Sequence, residues 1–173
     1  MMKREYTGLE TLSANLPYMA MVVLGTATIA VGFGVTPWAL GGAAGYFAYG
    51  VAGAFWIMIF MCPSCAYYGT RECPCGYGMI SARLVRQGDG VCFPVKFKKH
   101  IPVIVPIWLI PPACGGVALY RSFSWPVLVL VLLFVIDSYI ILPLVAKGHS
   151  CAECPQKDDC PWMVTVGGKN RAS

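Results

Sequence analysis

Charge is what this chain has least of. Among 173 residues only 12% are Asp, Glu, Lys or Arg, while 57% are hydrophobic and the mean hydropathy is +0.64. Soluble domains run to about a quarter charged. A soluble chain of this length could fill one good core, but it could not also cover this much remaining apolar surface with charge. An ordinary soluble domain is therefore excluded. Histidine is scarcer still: His100 and His149 are the only two. Both stand at the ends of hydrophobic segments rather than within one, which speaks against a haem held between helices. No small-x-small cleavage site follows the first hydrophobic run, and that run is too long for the core of a signal peptide, so it reads as a retained helix. The sequence contains no convincing internal repeat and no low-complexity tract.

What is present is four apolar runs, at about 16–35, 38–61, 101–120 and 126–146. Each approaches or exceeds the roughly 20 residues needed to cross the hydrocarbon of a bilayer. The expected fold class is thus an all-α integral membrane protein with four transmembrane helices. Residues 1–61 form an N-terminal hairpin, 62–100 a cysteine-rich loop, 101–146 a second hairpin and 147–173 a cysteine-rich tail. In the second run Gly41, Gly45, Ala48 and Ala52 recur at spacings of three and four, a stripe of small residues expected to pack on another helix. The third run holds Pro102, Pro106, Pro111 and Pro112. Interior prolines remove backbone donors and predict a kink near Pro111, tolerated in lipid only where neighbours satisfy the freed carbonyls. Asp137 lies near the middle of the fourth run. An intramembrane carboxylate is costly and is a functional candidate by default, as a proton relay or a cofactor-binding hydrogen-bond partner for a quinone-like head group.

The net charge of +5 comes from basic residues that flank the apolar runs rather than forming a basic domain, which argues for membrane lipid and against nucleic acid as the partner. Four spans put both termini and both cysteine segments on one side. Twelve of the thirteen lysines and arginines fall on that side, with Arg121 alone on the other. By the positive-inside rule the expected location is the inner (cytoplasmic) membrane, multi-pass, with both termini and the cysteines in the cytoplasm. Thiols are kept reduced there, so clustered cysteines bind metal or do redox chemistry more often than they form structural disulfides.

Nine cysteines are present, and eight fall in those segments: Cys62, Cys65, Cys73, Cys75 and Cys92 in the loop, and Cys151, Cys154 and Cys160 in the tail. The loop opens CPSCAYYGTRECPC, a CxxC followed by a CxC within fourteen residues. Four thiolates complete a tetrahedral zinc site or a cubane cluster, so eight match two such centres. Cys62, Cys73, Cys154 and Cys160 each precede proline, which removes an amide and shields a cluster. The tail spacing CxxC-x5-C resembles the opening of the auxiliary-cluster motif of SPASM-type domains. That motif has a further cysteine four positions on, where this chain has Val164, so a fourth ligand would come from Cys92, His149, one of the first four cysteines or a partner. The expectation is one or two 4Fe-4S iron–sulfur clusters, with Zn as the alternative. The implied function is an electron-transfer subunit of a larger membrane redox complex, non-catalytic by itself, passing electrons toward a quinone-like carrier. A zinc-stabilised membrane anchor and a soft-metal trafficking protein are the competing readings. Cys114, between Pro-Pro and Gly-Gly, reads as a small packing residue.

Overall fold

A computed structural model describes residues 5–34, 36–90 and 93–151, without the side chains of 149–151. Among the described residues all regular structure is helical: α1 (Gly8–Gly32), α2 (Pro37–Phe60), α3 (Tyr77–Leu84), α4 (Phe93–His100), α5 (Pro106–Arg121), α6 (Trp125–Ile136) and α7 (Leu142–Val145). Short 3-10 turns occupy Cys62–Ser64 and Ile101–Val103, and π-helical turns occupy Asp137–Ile141 and Ala146–Cys151. Four stretches are long and apolar enough to cross a membrane: Gly8–Gly32, Pro37–Ser64, Phe93–Arg121 and Trp125–Gly148.

The first of these starts well before the apolar run. Thr7 and Glu10 form a capping box: the Thr7 amide donates to Glu10 Oε2 at 2.9 Å and the Glu10 amide donates to Thr7 Oγ1 at 3.4 Å. The exchange satisfies two amides that a helix start leaves without partners. At α2 the Ala39 amide donates to Thr36 Oγ1 at 3.3 Å, and Pro37 follows the cap, where its missing N–H costs nothing.

The chain divides into two units. The bundle unit comprises Asn15–Ala54 and Val103–Leu144. Its interior is formed by Met21, Thr28 and Ile29 of α1, Ala39, Ala43 and Tyr46 of α2, Ile107, Pro111 and Ala118 of α5, and Val127 and Phe134 of α6. Phe47, Leu109, Val129, Leu132 and many other large apolar side chains are exposed, an arrangement suited to lipid and not to water. Trp38, Tyr120, Phe123 and Trp125 are exposed at helix ends, where aromatic side chains match a membrane interface.

The small-residue stripe expected to pack does not. Gly41, Gly45, Ala48 and Ala52 are all exposed, and a Cβ added at Gly41 or Gly45 would meet nothing within 4 Å. The buried face of α2 is Ala39, Ala43, Tyr46, Gly50 and Gly53, the same spacing shifted by two residues or roughly 200° around the helix. Gly50 is needed there: a Cβ would stand 2.7 Å from Val22 Cγ2.

The prolines of α5 are accommodated by tyrosines. Pro111 and Pro112 have no N–H for the carbonyls one turn back, those of Ile107 and Trp108. Tyr46 donates its hydroxyl to the Ile107 carbonyl at 2.9 Å, and Tyr139 donates to the Trp108 carbonyl at 3.3 Å. Tyr49 donates to the Val103 carbonyl, and Tyr18 donates to the Gly50 carbonyl at 2.7 Å. The π-helical turn Asp137–Ile141 has a related origin. It precedes Pro143, whose ring would clash with the Tyr139 carbonyl in a regular helix; widening the turn relieves the clash, and Leu142 N–H bonds back to the Asp137 carbonyl.

Candidate functional site

The cysteine unit comprises, among the described residues, 5–14, 55–90, 93–102 and 145–151. It begins where α2 ends. The Cys62–Ser64 turn places Cys62, Pro63 and Ser64 in the interior, and α3 packs against this turn. Backbone hydrogen bonds close the loop on itself: Gly69 N–H to the Gly78 carbonyl at 3.1 Å, Gly76 N–H to the Cys73 carbonyl at 3.0 Å, and Gly88 N–H to the Pro63 carbonyl at 2.9 Å. Gly69 and Gly76 both have φ of 71°, a left-handed conformation that glycine adopts without strain. The N-terminal segment joins this unit through the Tyr6 N–H, which donates to the Arg71 carbonyl at 3.1 Å. Tyr68 donates its hydroxyl to the Val85 carbonyl at 2.6 Å.

Two short helices, α3 and α4, fall within the cysteine-rich loop. The aromatic face of α4 holds it in the unit. His100 stacks on Phe60 with ring centroids 4.9 Å apart and meets Trp56 edge-on at 5.8 Å, while Phe93 and Phe97 lie 5.9 Å apart.

None of Cys62, Cys65, Cys73 and Cys75 is in a disulfide. Cys62 is buried and the other three are partly exposed. The Gly78 amide donates to Cys73 Sγ at 3.4 Å, the kind of amide-to-sulfur contact that tunes a thiolate-bound cluster. Among the described residues, no three or more His, Cys, Asp or Glu side chains are arranged to hold a metal ion. The donor chemistry of the four thiols fits zinc or iron–sulfur; their spacing as described does not converge on one centre.

Of the remaining expected ligands, Cys92, Cys154 and Cys160 lie outside the described residues, as do the side chains of Cys151 and His149. Cys114 is a free, partly exposed thiol on α5. Asp137 opens the π-helical turn and is 7% exposed. Its Oδ2 is buried without a hydrogen-bond partner among the described residues. The carbonyls that Pro111 and Pro112 leave without helical donors are occupied by Tyr46 and Tyr139. Ser138 beside it is buried and spends its hydroxyl on the Phe134 carbonyl at 2.6 Å. Sequence reasoning missed the tyrosine set; the signal for it was Tyr46 and Tyr49 on one apolar helix and two adjacent prolines on another.

The chain matches no protein-family model, and neither a curated protein nor a solved structure is significantly similar to it.

Proposed function

We propose that this protein is a membrane-embedded electron carrier whose cysteine unit holds an iron–sulfur centre on the cytoplasmic face, working as a subunit of a larger redox complex. The observation that carries this reading is that four cysteines, none of them in a disulfide, fall within one fourteen-residue segment whose backbone closes on itself. Four soft donors favour a soft metal centre over a hard cation. Drawing the sulfurs onto one centre requires the loop to tighten, and the turns at Gly69 and Gly76 are where it would do so. A cluster held there would supply one-electron chemistry between a neighbouring redox subunit and a quinone-class carrier in the membrane. The chain's own part is to hold the sulfurs, shield them with Pro63 and Pro74, and offer the Gly78 amide to Cys73. Cys92, Cys151, Cys154 and Cys160 belong to the same proposal as ligands of a second centre. Asp137, whose Oδ2 is buried without a partner among the described residues, is the residue proposed to hydrogen-bond the quinone head group or relay its proton. The basic flanks of the spans support the cytoplasmic placement.

Anaerobic purification of the full chain tests this directly. Iron and acid-labile sulfide in comparable amounts, with visible charge-transfer absorbance, are the expected result. A colourless protein holding stoichiometric zinc would overturn electron carriage and leave a metal-stapled anchor.

A further inference from the structure

The helix α4, FPVKFKKH, carries Lys96, Lys98 and Lys99 and no acidic residue. Its ring contacts fix which way it faces: Phe93, Phe97 and His100, at i, i+4 and i+7, form one aromatic stripe, and His100 packs on Phe60 and Trp56. Val95, Lys98 and Lys99 are exposed on the rest of the helix, Val95 at 69%, and no residue of α4 is fully buried.

Length sets its depth. The third membrane-crossing stretch, Phe93–Arg121, has 29 residues, where roughly 20 suffice to cross the hydrocarbon. Residues 101–120 carry no charge and are enough by themselves. The excess is therefore α4, whose lysines cannot enter hydrocarbon and whose exposed valine is unfavourable in water. Headgroup depth satisfies both: Val95, Lys98 and Lys99, at i, i+3 and i+4, share one face, on which the valine and the lysine stems sit at the acyl boundary while the ammonium groups snorkel to phosphate.

We propose that α4 is an interfacial helix that binds the phosphate groups of anionic phospholipids through Lys98 and Lys99. Adjacent ammonium groups without a carboxylate on the same helix complement a lipid of net negative charge; a zwitterionic lipid brings its own cation. The proposal rests on the membrane-spanning reading of the chain and is independent of any metal centre.

Native mass spectrometry of the full chain, titrated with phosphatidylglycerol or with phosphatidylcholine of the same acyl composition, tests it. The expected result is preferential binding of phosphatidylglycerol. The preference falls by about fivefold for each lysine removed, so K98Q/K99Q largely abolishes it while K98R/K99R keeps it. Equal binding of the two lipids by the unmodified chain would overturn the proposal without recourse to any variant. So would a preference undiminished in K98Q/K99Q, or displacement of phosphatidylglycerol by millimolar inorganic phosphate, which would mark a free-anion site instead. Metal content is irrelevant to all of these outcomes, so failure here is distinguishable from failure of the electron-carrier reading.

Discussion

Tyr46 donates its hydroxyl to the carbonyl of Ile107 at 2.9 Å, and that carbonyl is the one Pro111 leaves without its helical donor. A tyrosine on α2 thereby repairs a defect on α5. In water the freed carbonyl would be hydrated; in hydrocarbon it must find a donor in the protein. The pairing accounts for which face of α2 turns inward, because the phenol has to reach α5.

Tyr46→Phe should destabilise the protein by about 1–2 kcal/mol, the cost of a buried carbonyl left unpaired. Pro111→Ala restores the backbone donor, so Y46F/P111A should recover much of that loss. Unfolding in mixed micelles, run as a double-mutant cycle, reads the coupling. Additive effects of the two changes would mean that the hydrogen bond does not serve the proline.

The two glycine faces of α2 make opposite predictions. Gly50→Ala places a methyl 2.7 Å from Val22 Cγ2, and overpacking of this kind costs about 1–3 kcal/mol. Gly45→Ala meets nothing within 4 Å and should stay within about 0.5 kcal/mol of the parent. Thermal denaturation of both variants in the same detergent checks the difference. A reversed order would put the inward face of α2 on the other stripe.

These comparisons mark what the sequence makes legible. The four membrane-crossing stretches follow from composition, since nothing but lipid tolerates so few charges over such lengths. The face of α2 does not follow, because Gly41, Gly45, Ala48 and Ala52 repeat with the same spacing as the buried set and apolar residues surround both. Only a polar constraint breaks the tie, and it lies in Tyr46 and Pro111, 65 residues apart. The early start of α1 was readable in Thr7-x-x-Glu10 but is easily overlooked when hydropathy alone sets the boundary. α4 was not readable as a helix: Pro94, β-branched Val95 and two phenylalanines in eight residues offset the helix preference of its lysines, and the stacking of His100 on Phe60 is a tertiary contact. The cysteine segment was conspicuous, yet spacing alone does not decide how near its sulfurs approach.

Individual replacement of Cys62, Cys65, Cys73 or Cys75 by serine should each lower bound metal at the loop centre at least tenfold, the upper range seen for lost support of a metal site being about 100-fold. Cys114→Ser should leave metal content unchanged, because Cys114 belongs to α5 in the bundle unit. Elemental analysis of anaerobically prepared variants provides the comparison. Equal metal content in C62S and C114S would remove the loop thiols from any metal centre.

Asp137 separates structure from function most sharply. Its Oδ2 is buried without a partner among the described residues, and an unsatisfied buried polar atom lowers stability. Replacing it with Leu should therefore leave the fold as stable or raise its stability by about 1 kcal/mol, against the usual direction for a change at a buried site. If the carboxyl serves a quinone-class ligand, Asp137→Asn, which keeps size and polarity, should retain the fold while weakening quinone-analogue binding; calorimetric titration in nanodiscs measures that directly. A D137L variant that unfolds would show instead that the carboxyl is engaged in holding the helices together. The gain in stability and the loss of binding have to occur together for the residue to be a functional site, because natural chains keep an unfavourable buried group chiefly where it does something else.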